Sequence, residues 1–244
     1  MEMQLETVLT SGRILTDRRL QAFMSATCIV GLAALTVLLF DTSAAAGGSW
    51  LERLAVPGRM LLLVLSAMLL LRATGETWGD VGLRTPGSFW RTTGLVVGGY
   101  LTIGAAFAAA TQLLLPALGL EPKTAAAFAV VRGDLGEYLY WLIPVAWGSA
   151  AFGEELVFRG FLQSRLERMV GSIGGAPFMA AVGQAAIFGA LHAYQGVGGA
   201  ILAGLTGFVI GLVYILGRRN LWACIILHGL IDTISLTAIY LRAA

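Results

Sequence analysis

Seven long apolar runs separated by short polar stretches set the pattern of this chain: residues 22–40, 56–71, 94–118, 138–161, 176–192, 198–216 and 221–241. A helix needs about 20 mostly apolar residues to cross a bilayer, so each run predicts a transmembrane helix. The runs at 56–71 and 176–192 are the shortest. In the second run only residues 60–71 are uninterrupted, and Arg59 is expected to reach back to the interface along its aliphatic stem. The expected fold is therefore all-α, a polytopic transmembrane helix bundle of about seven helices, with eight possible. Residues 1–135 hold the N-terminal transmembrane helices and an interfacial loop, and residues 136–244 the core that carries the polar residues.

Composition supports a membrane protein. The 244 residues are 57% hydrophobic and 12% charged, with mean hydropathy +0.81. A soluble domain carries about a quarter charged residues, so this chain cannot cover a soluble surface. The net charge of +2 gives no reason to expect nucleic acid. Cys28 and Cys224 lie far apart in apolar runs and read as small buried hydrophobes, not as a disulfide or a cysteine zinc site. The first run is too long for the apolar part of a signal peptide, and residues 41–49 that follow it lead into further membrane segments.

Seven alternating spans divide the basic residues unequally. One side takes Arg13, Arg18, Arg19, Arg72, Arg84, Arg91, Arg165, Arg168, Arg218 and Arg219. The other takes Arg53, Arg59, Lys123, Arg132 and Arg242. Basic loops stay in the cytoplasm, which puts the N-terminus inside and the C-terminus outside. The Ala-, Gly- and Arg-rich composition points to a prokaryotic cell (inner) membrane. Residues 76–90 read as an interfacial segment anchored by Trp78 and Trp90, and residues 121–137 as a loop of mixed charge. Gly198, Gly199, Gly204, Gly207 and Gly211 suit close helix packing in the sixth span.

Ionisable groups inside a bilayer are costly and mark function or a paired structural role. Glu155 and Arg159 are four apart with the acid first, the favoured order for a helical ion pair. Adjacent Glu154 points about 100° away and is left without a helical partner, as a general base would be. Phe188 and His192 share one helix face, and His228 and Asp232 another, where the carboxylate could accept from the imidazole and orient it. These are the chain's two histidines.

Glu154, Glu155 and Arg159, then Phe188 and His192, then His228 and Asp232 resemble the three-motif signature of the CPBP family, the CAAX-type prenyl proteases and related bacterial membrane proteins also called ABI. The resemblance spans residues 141–233, and residues 78–83 resemble a loop often found upstream. It implies an intramembrane endopeptidase acting on a membrane-associated peptide or protein. Glu154 would activate a water, His192 would share it and His228 would stabilise the oxyanion. Glu155, Arg159 and Phe188 would support them. The family commonly has Asn where this chain has Asp232, and an ionised carboxylate cannot donate to an oxyanion. Asp232 would then orient His228 or contribute to a metal site.

No cofactor is expected, with zinc as the alternative on Glu154, His192, His228 and Asp232. The partners expected are a peptide or membrane-protein substrate and the lipid bilayer. A non-catalytic scaffold or immunity-type protein of the same family is the competing function. A transporter would show repeated halves, whereas these polar groups concentrate in the C-terminal half. The span boundaries also leave a conflict: His192 falls near the far end of the fifth span, on the order of 10 Å from the depth of Glu154 and His228.

Overall fold

The computed structural model describes residues 2–39, 49–120 and 128–242, with side chains at 18–39, 49, 52–120 and 128–242. Residues 121–127 of the mixed-charge loop, with Lys123, lie outside the described residues, as do residues 41–48 and the side chain of Arg13. Seven continuous helices make the fold among the described residues. α1 is Glu2–Leu39 and α2 is Trp50–Ala73. α3 is Phe89–Ala109 continued through Ala110–Leu114 and Leu115–Ala117. α4 joins Leu135–Tyr140, Trp141–Gln163 and Ser164–Val170. α5 is Ala176–Leu191, α6 Gly196–Leu216 and α7 Leu221–Leu241. There is no strand among the described residues.

Local chemistry sets several ends. Ser49 precedes α2, and its N–H and hydroxyl donate to the Glu52 carboxylate at 2.6 and 2.8 Å, as in a capping box. Asp134 caps α4 by accepting from the Glu137 N–H at 2.9 Å, and Asn220 caps α7 through the Trp222 N–H at 3.0 Å. Within α4, Trp141–Gln163 is wound as a π-helix. Pro144 lies in this stretch without an N–H to give, and the Ser149 hydroxyl donates to its carbonyl five residues back at 3.0 Å. Such winding is rare and concentrates at functional sites.

Among the described residues five helices are long and apolar enough to cross a membrane: Arg18–Leu39, Glu52–Ala73, Phe89–Ala117, Ala193–Leu216 and Leu221–Leu241. The other two also carry site residues. α4 carries Glu154, Glu155 and Arg159, and α5 is only 16 residues long. Large apolar side chains, among them Phe23, Leu38, Leu101 and Leu113, point outward from α1 to α3. That surface suits lipid.

The helix ends sort as the alternating spans predict. At one end α2 stops, α3 starts, α4 stops and α6 turns into α7. There Arg84 donates to the Arg218 carbonyl at 3.0 Å, Arg165 and Arg168 reach Glu76, and Arg219 pairs with Glu167. Arg18, Arg19, Arg72, Arg91 and Arg218 belong to the same end by their places on α1, α2, α3 and the α6–α7 turn. At the opposite end Arg53 pairs with Glu137, Tyr140 donates to the Arg53 carbonyl at 2.6 Å, and the Gly133 N–H reaches the Tyr240 carbonyl at 3.2 Å.

The loop between α2 and α3 closes the Arg-rich end. Trp90 is 80% exposed beside Phe89, as an interfacial anchor would be. Trp78 is not an anchor: it packs on both main core clusters. Val81 is buried, Tyr214 donates to its carbonyl at 2.9 Å, and the Leu221 N–H donates to the Gly82 carbonyl at 3.0 Å. The segment straps α6 and α7 together. Asp80 is exposed, and its hydrogen bonds from the Thr77 hydroxyl and N–H hold its carboxyl below the ordinary value. Cys224 is buried as expected, whereas Cys28 is exposed on α1.

α5 and α6 pack back to back with little between them. A Cβ at Gly189 would stand 2.7 Å from the Ala200 carbonyl and 3.1 Å from the Gly204 Cα. The glycines of the sixth span therefore serve close approach. This hairpin also resolves the depth conflict. Phe158 of α4 stacks edge-to-face on Phe188 of α5 at 4.9 Å. The helices are antiparallel, so His192 lies one turn above Phe188 as Glu154 lies one turn above Phe158. A side chain at Gly160 would meet Leu221, so α7 begins beside Gly160 of α4, whereas α5 by the same counting begins near Val170. α5 starts about 15 Å nearer the Arg-rich end than α7.

Candidate functional site

Four helices bring the site together in the interior of the bundle. Glu155 and Arg159 of α4 are fully buried, with Arg159 Nη1 2.7 Å from Glu155 Oε1. The same oxygen accepts from His228 Nδ1 of α7 at 2.7 Å. Arg159 Nη2 continues to the Gly207 carbonyl of α6 at 3.2 Å, and its guanidinium stacks 4.8 Å from the Phe188 ring. One buried cation thus ties α4, α5, α6 and α7. Breaking such a buried pair by removing one partner typically costs 3–5 kcal/mol, roughly, because an uncompensated charge is left.

The expected partner of His228 is corrected here. Asp232 Oδ2 stands 3.8 Å from His228 Nε2, beyond hydrogen-bond distance. Glu155 orients the imidazole instead, through Nδ1, and Nε2 is left facing Asp232. The helix spacing of four residues did bring His228 and Asp232 together, but the shorter bond crosses from another helix.

His192 sits at the C-terminal end of α5. Its Nδ1 lies 2.8 Å from the Phe188 carbonyl, which can only accept, so Nδ1 carries the proton. In the neutral ring Nε2 is then the lone-pair nitrogen. The Phe188 ring packs 4.4 Å from the imidazole. Glu154 is partly buried and makes no hydrogen bond or ion pair among the described residues. Its charge acts on His228 and Asp232, which places it with them. Glu155 Oε2, unlike Oε1, has no hydrogen-bond partner. The arrangement holds one carboxylate firmly and leaves its neighbour available.

Four further residues, whose place beside the site the sequence did not reveal, contribute to it. Gln184 of α5 is fully buried and donates to the Gly207 carbonyl at 2.7 Å, sharing that acceptor with Arg159. Trp147 of α4 donates to the Thr233 hydroxyl at 3.1 Å and lies against Gly229, where a Cβ would stand 2.6 Å from its ring. Gly229 lets α4 and α7 close beside His228. Arg59 of α2 also belongs to the neighbourhood. It stands nine residues into a helix that starts at Trp50, because α2 extends further than its apolar run. An uncharged Gln and a Gly in an apolar helix carry no distinctive signal, but an Arg within a span does.

As to metal, no three His, Cys, Asp or Glu among the described residues are placed to hold one ion. Glu154, His192, His228 and Asp232 come from three helices, and the Nδ1 atoms of both histidines are held, His192 by a carbonyl and His228 by Glu155, which leaves each Nε2 as the ring nitrogen open to a ligand.

Comparison with known proteins adds one match. Residues 136–234 match the family described as Type II CAAX prenyl endopeptidase Rce1-like, less than half of the chain but the whole of the stretch from α4 into α7 that holds Glu154, Glu155, Arg159, His192, His228 and Asp232. The resemblance read from the three motifs is borne out over that stretch. No curated protein and no solved structure matches.

Proposed function

With the site-bearing helices alike to the CAAX endopeptidases, we propose that this integral membrane protein hydrolyses a peptide bond in a membrane-associated peptide or protein, using water activated by glutamate and histidine. The observation that carries this reading is the contrast between adjacent carboxylates: Glu155 is bound by Arg159 and His228, and Glu154 beside it is unengaged at the depth of His192. Glu154 takes one proton from water while the free Nε2 of His192 accepts a hydrogen bond from the O–H that remains. The resulting hydroxide adds to the carbonyl carbon. His228, steered by Glu155 through Nδ1 and protonated on both nitrogens, donates from Nε2 to the oxygen that gains the negative charge. Glu154 then delivers its proton to the departing amine nitrogen as the C–N bond breaks. Asp232 lies close enough to His228 to tune that step without holding the ring.

The nine described arginines at one end support a cytoplasmic N-terminus and an exterior C-terminus, in a prokaryotic inner membrane. Fusion reporters at the two termini test this, and finding both on one side refutes it. The function itself is tested by turnover of a peptide library by purified protein, with Glu154→Gln as control. Cleavage by the native chain and none by the variant is the expected result. The scaffold reading draws on the Arg159 network, which joins four helices and would serve folding alone. It requires that Glu154→Gln change nothing.

A further inference from the structure

α2 and α4 run in the same direction and touch along their length. Arg53 pairs with Glu137 near their first ends, a side chain at Gly153 would run into Met60, and Arg165 donates to the Thr74 hydroxyl at 3.3 Å near their last ends. That register sets Arg59, the neighbour of Met60, within about one turn of Glu154 in depth. Its charge reaches Glu154, His192 and Tyr194, three groups contributed by α4, α5 and the turn after α5.

Arg59 is partly buried and makes no hydrogen bond or ion pair among the described residues. The buried arginines of α4 differ: Arg159 is matched by Glu155, and Arg165 by Glu76. An arginine at this depth in an apolar helix is expensive, so its retention calls for an anion. Glu154 is close enough to feel the charge but is not in contact with it. A guanidinium presents a planar fork that fits a carboxylate in two parallel hydrogen bonds.

We propose that Arg59 is a specificity residue that binds a carboxylate of the peptide cleaved at this site, either its C-terminal carboxylate or an acidic side chain beside the cleaved bond. The assignment rests on the peptidase reading given above. It makes the substrate anionic where it meets α2, and gives Arg59 the counter-charge it lacks in the protein alone.

Four matched peptides separate the two sources: a free acid or an amide at the C-terminus, each with Glu or Gln following the cleaved bond. Purified full-length protein in a zwitterionic detergent is compared with Arg59→Gln and Arg59→Lys. The native chain is expected to favour the carboxylate-bearing peptides by about tenfold or more in kcat/KM. Arg59→Gln should bring that ratio close to one, and Arg59→Lys, which keeps the charge but not the fork, should retain part of it. Preference following the free acid identifies the chain terminus, and preference following Glu identifies the side chain. A ratio unchanged in Arg59→Gln overturns the proposal. So does equal loss on all four peptides with a displaced pH–rate profile, which would make Arg59 the counter-ion of Glu154. Binding of the same peptides to Glu154→Gln protein separates this proposal from the peptidase reading. Arg59-dependent discrimination in binding, with no turnover by the native chain, sinks the peptidase and keeps the anion site. Turnover without discrimination does the reverse.

Discussion

Glu76 and Glu155 are both carboxylates held by arginines, one at the Arg-rich end of the bundle and one in its interior. Glu76 is used completely. Arg168 grips both of its oxygens, Arg165 Nη1 stands 2.7 Å away and the Thr74 hydroxyl donates at 2.9 Å. Glu155 offers a single oxygen to Arg159 and His228 and leaves the other without a hydrogen bond. Glu154, its neighbour in sequence, is held by nothing. The strap cluster saturates its acceptors, as a joint between loops should. The interior cluster keeps unused acceptor capacity in a medium where that is costly, which is the mark of a site that binds or reacts.

The sharpest test of this contrast is Glu154→Gln. Cleavage should fall by at least roughly 10²–10⁴-fold, the usual worth of a positioned general base, while melting in detergent stays unchanged because no partner is lost. A large loss of melting temperature would place Glu154 in the structural network and erase the contrast. Glu155→Gln should do otherwise. It strands Arg159 and releases His228, so stability should drop by about 3–5 kcal/mol and activity should fall with it, both measured on the same preparation. Activity lost at full stability would make Glu155 chemical, not structural.

Glu76→Gln should cost less, about 1–2 kcal/mol once solvent screening at the membrane edge is allowed for. The pH dependence fixes its sign. Burial pushes the Glu76 carboxyl up, but the hydrogen bonds from Arg168 and Arg165 outweigh it and hold it at about 2. A depressed carboxyl stabilises the fold above its unfolded value of about 4.3, and that contribution fades as pH falls through about 2. The melting difference between native chain and Glu76→Gln should therefore be constant from neutral pH to about pH 5 and shrink below. A difference that grows on acidification would refute the assigned ion pairs. The smallest effect is expected for Asp232→Asn. At 3.8 Å from His228 it makes no hydrogen bond to the ring, so kcat should change by less than about tenfold with no change in melting. A loss as large as that of Glu154→Gln would return Asp232 to the reaction itself.

The sequence by itself determined the number of helices, the alternation of their ends and the spans of α5 and α7, because in lipid every backbone group must be satisfied within its own helix and apolar length reads directly as a span. It also picked out Glu154, Glu155, Arg159, His192, His228 and Asp232, since ionisable groups stand out against 57% hydrophobic residues. The Glu155–Arg159 pair was legible because both partners lie on one helix. Only the tertiary structure decided the rest. Spacing along α7 suggested Asp232 as the partner of His228, but a residue 73 positions away in sequence took that place. The depth of His192 followed from how far α5 slides along α4, which is set by the Phe158–Phe188 contact and by glycines that let α6 close on α5. The roles of Trp78, Gln184 and Arg59 depend in the same way on which helix lies opposite. A single helix carries its own periodicity in its residues, whereas the register between helices comes from packing of side chains distant in the chain, and no local pattern encodes it.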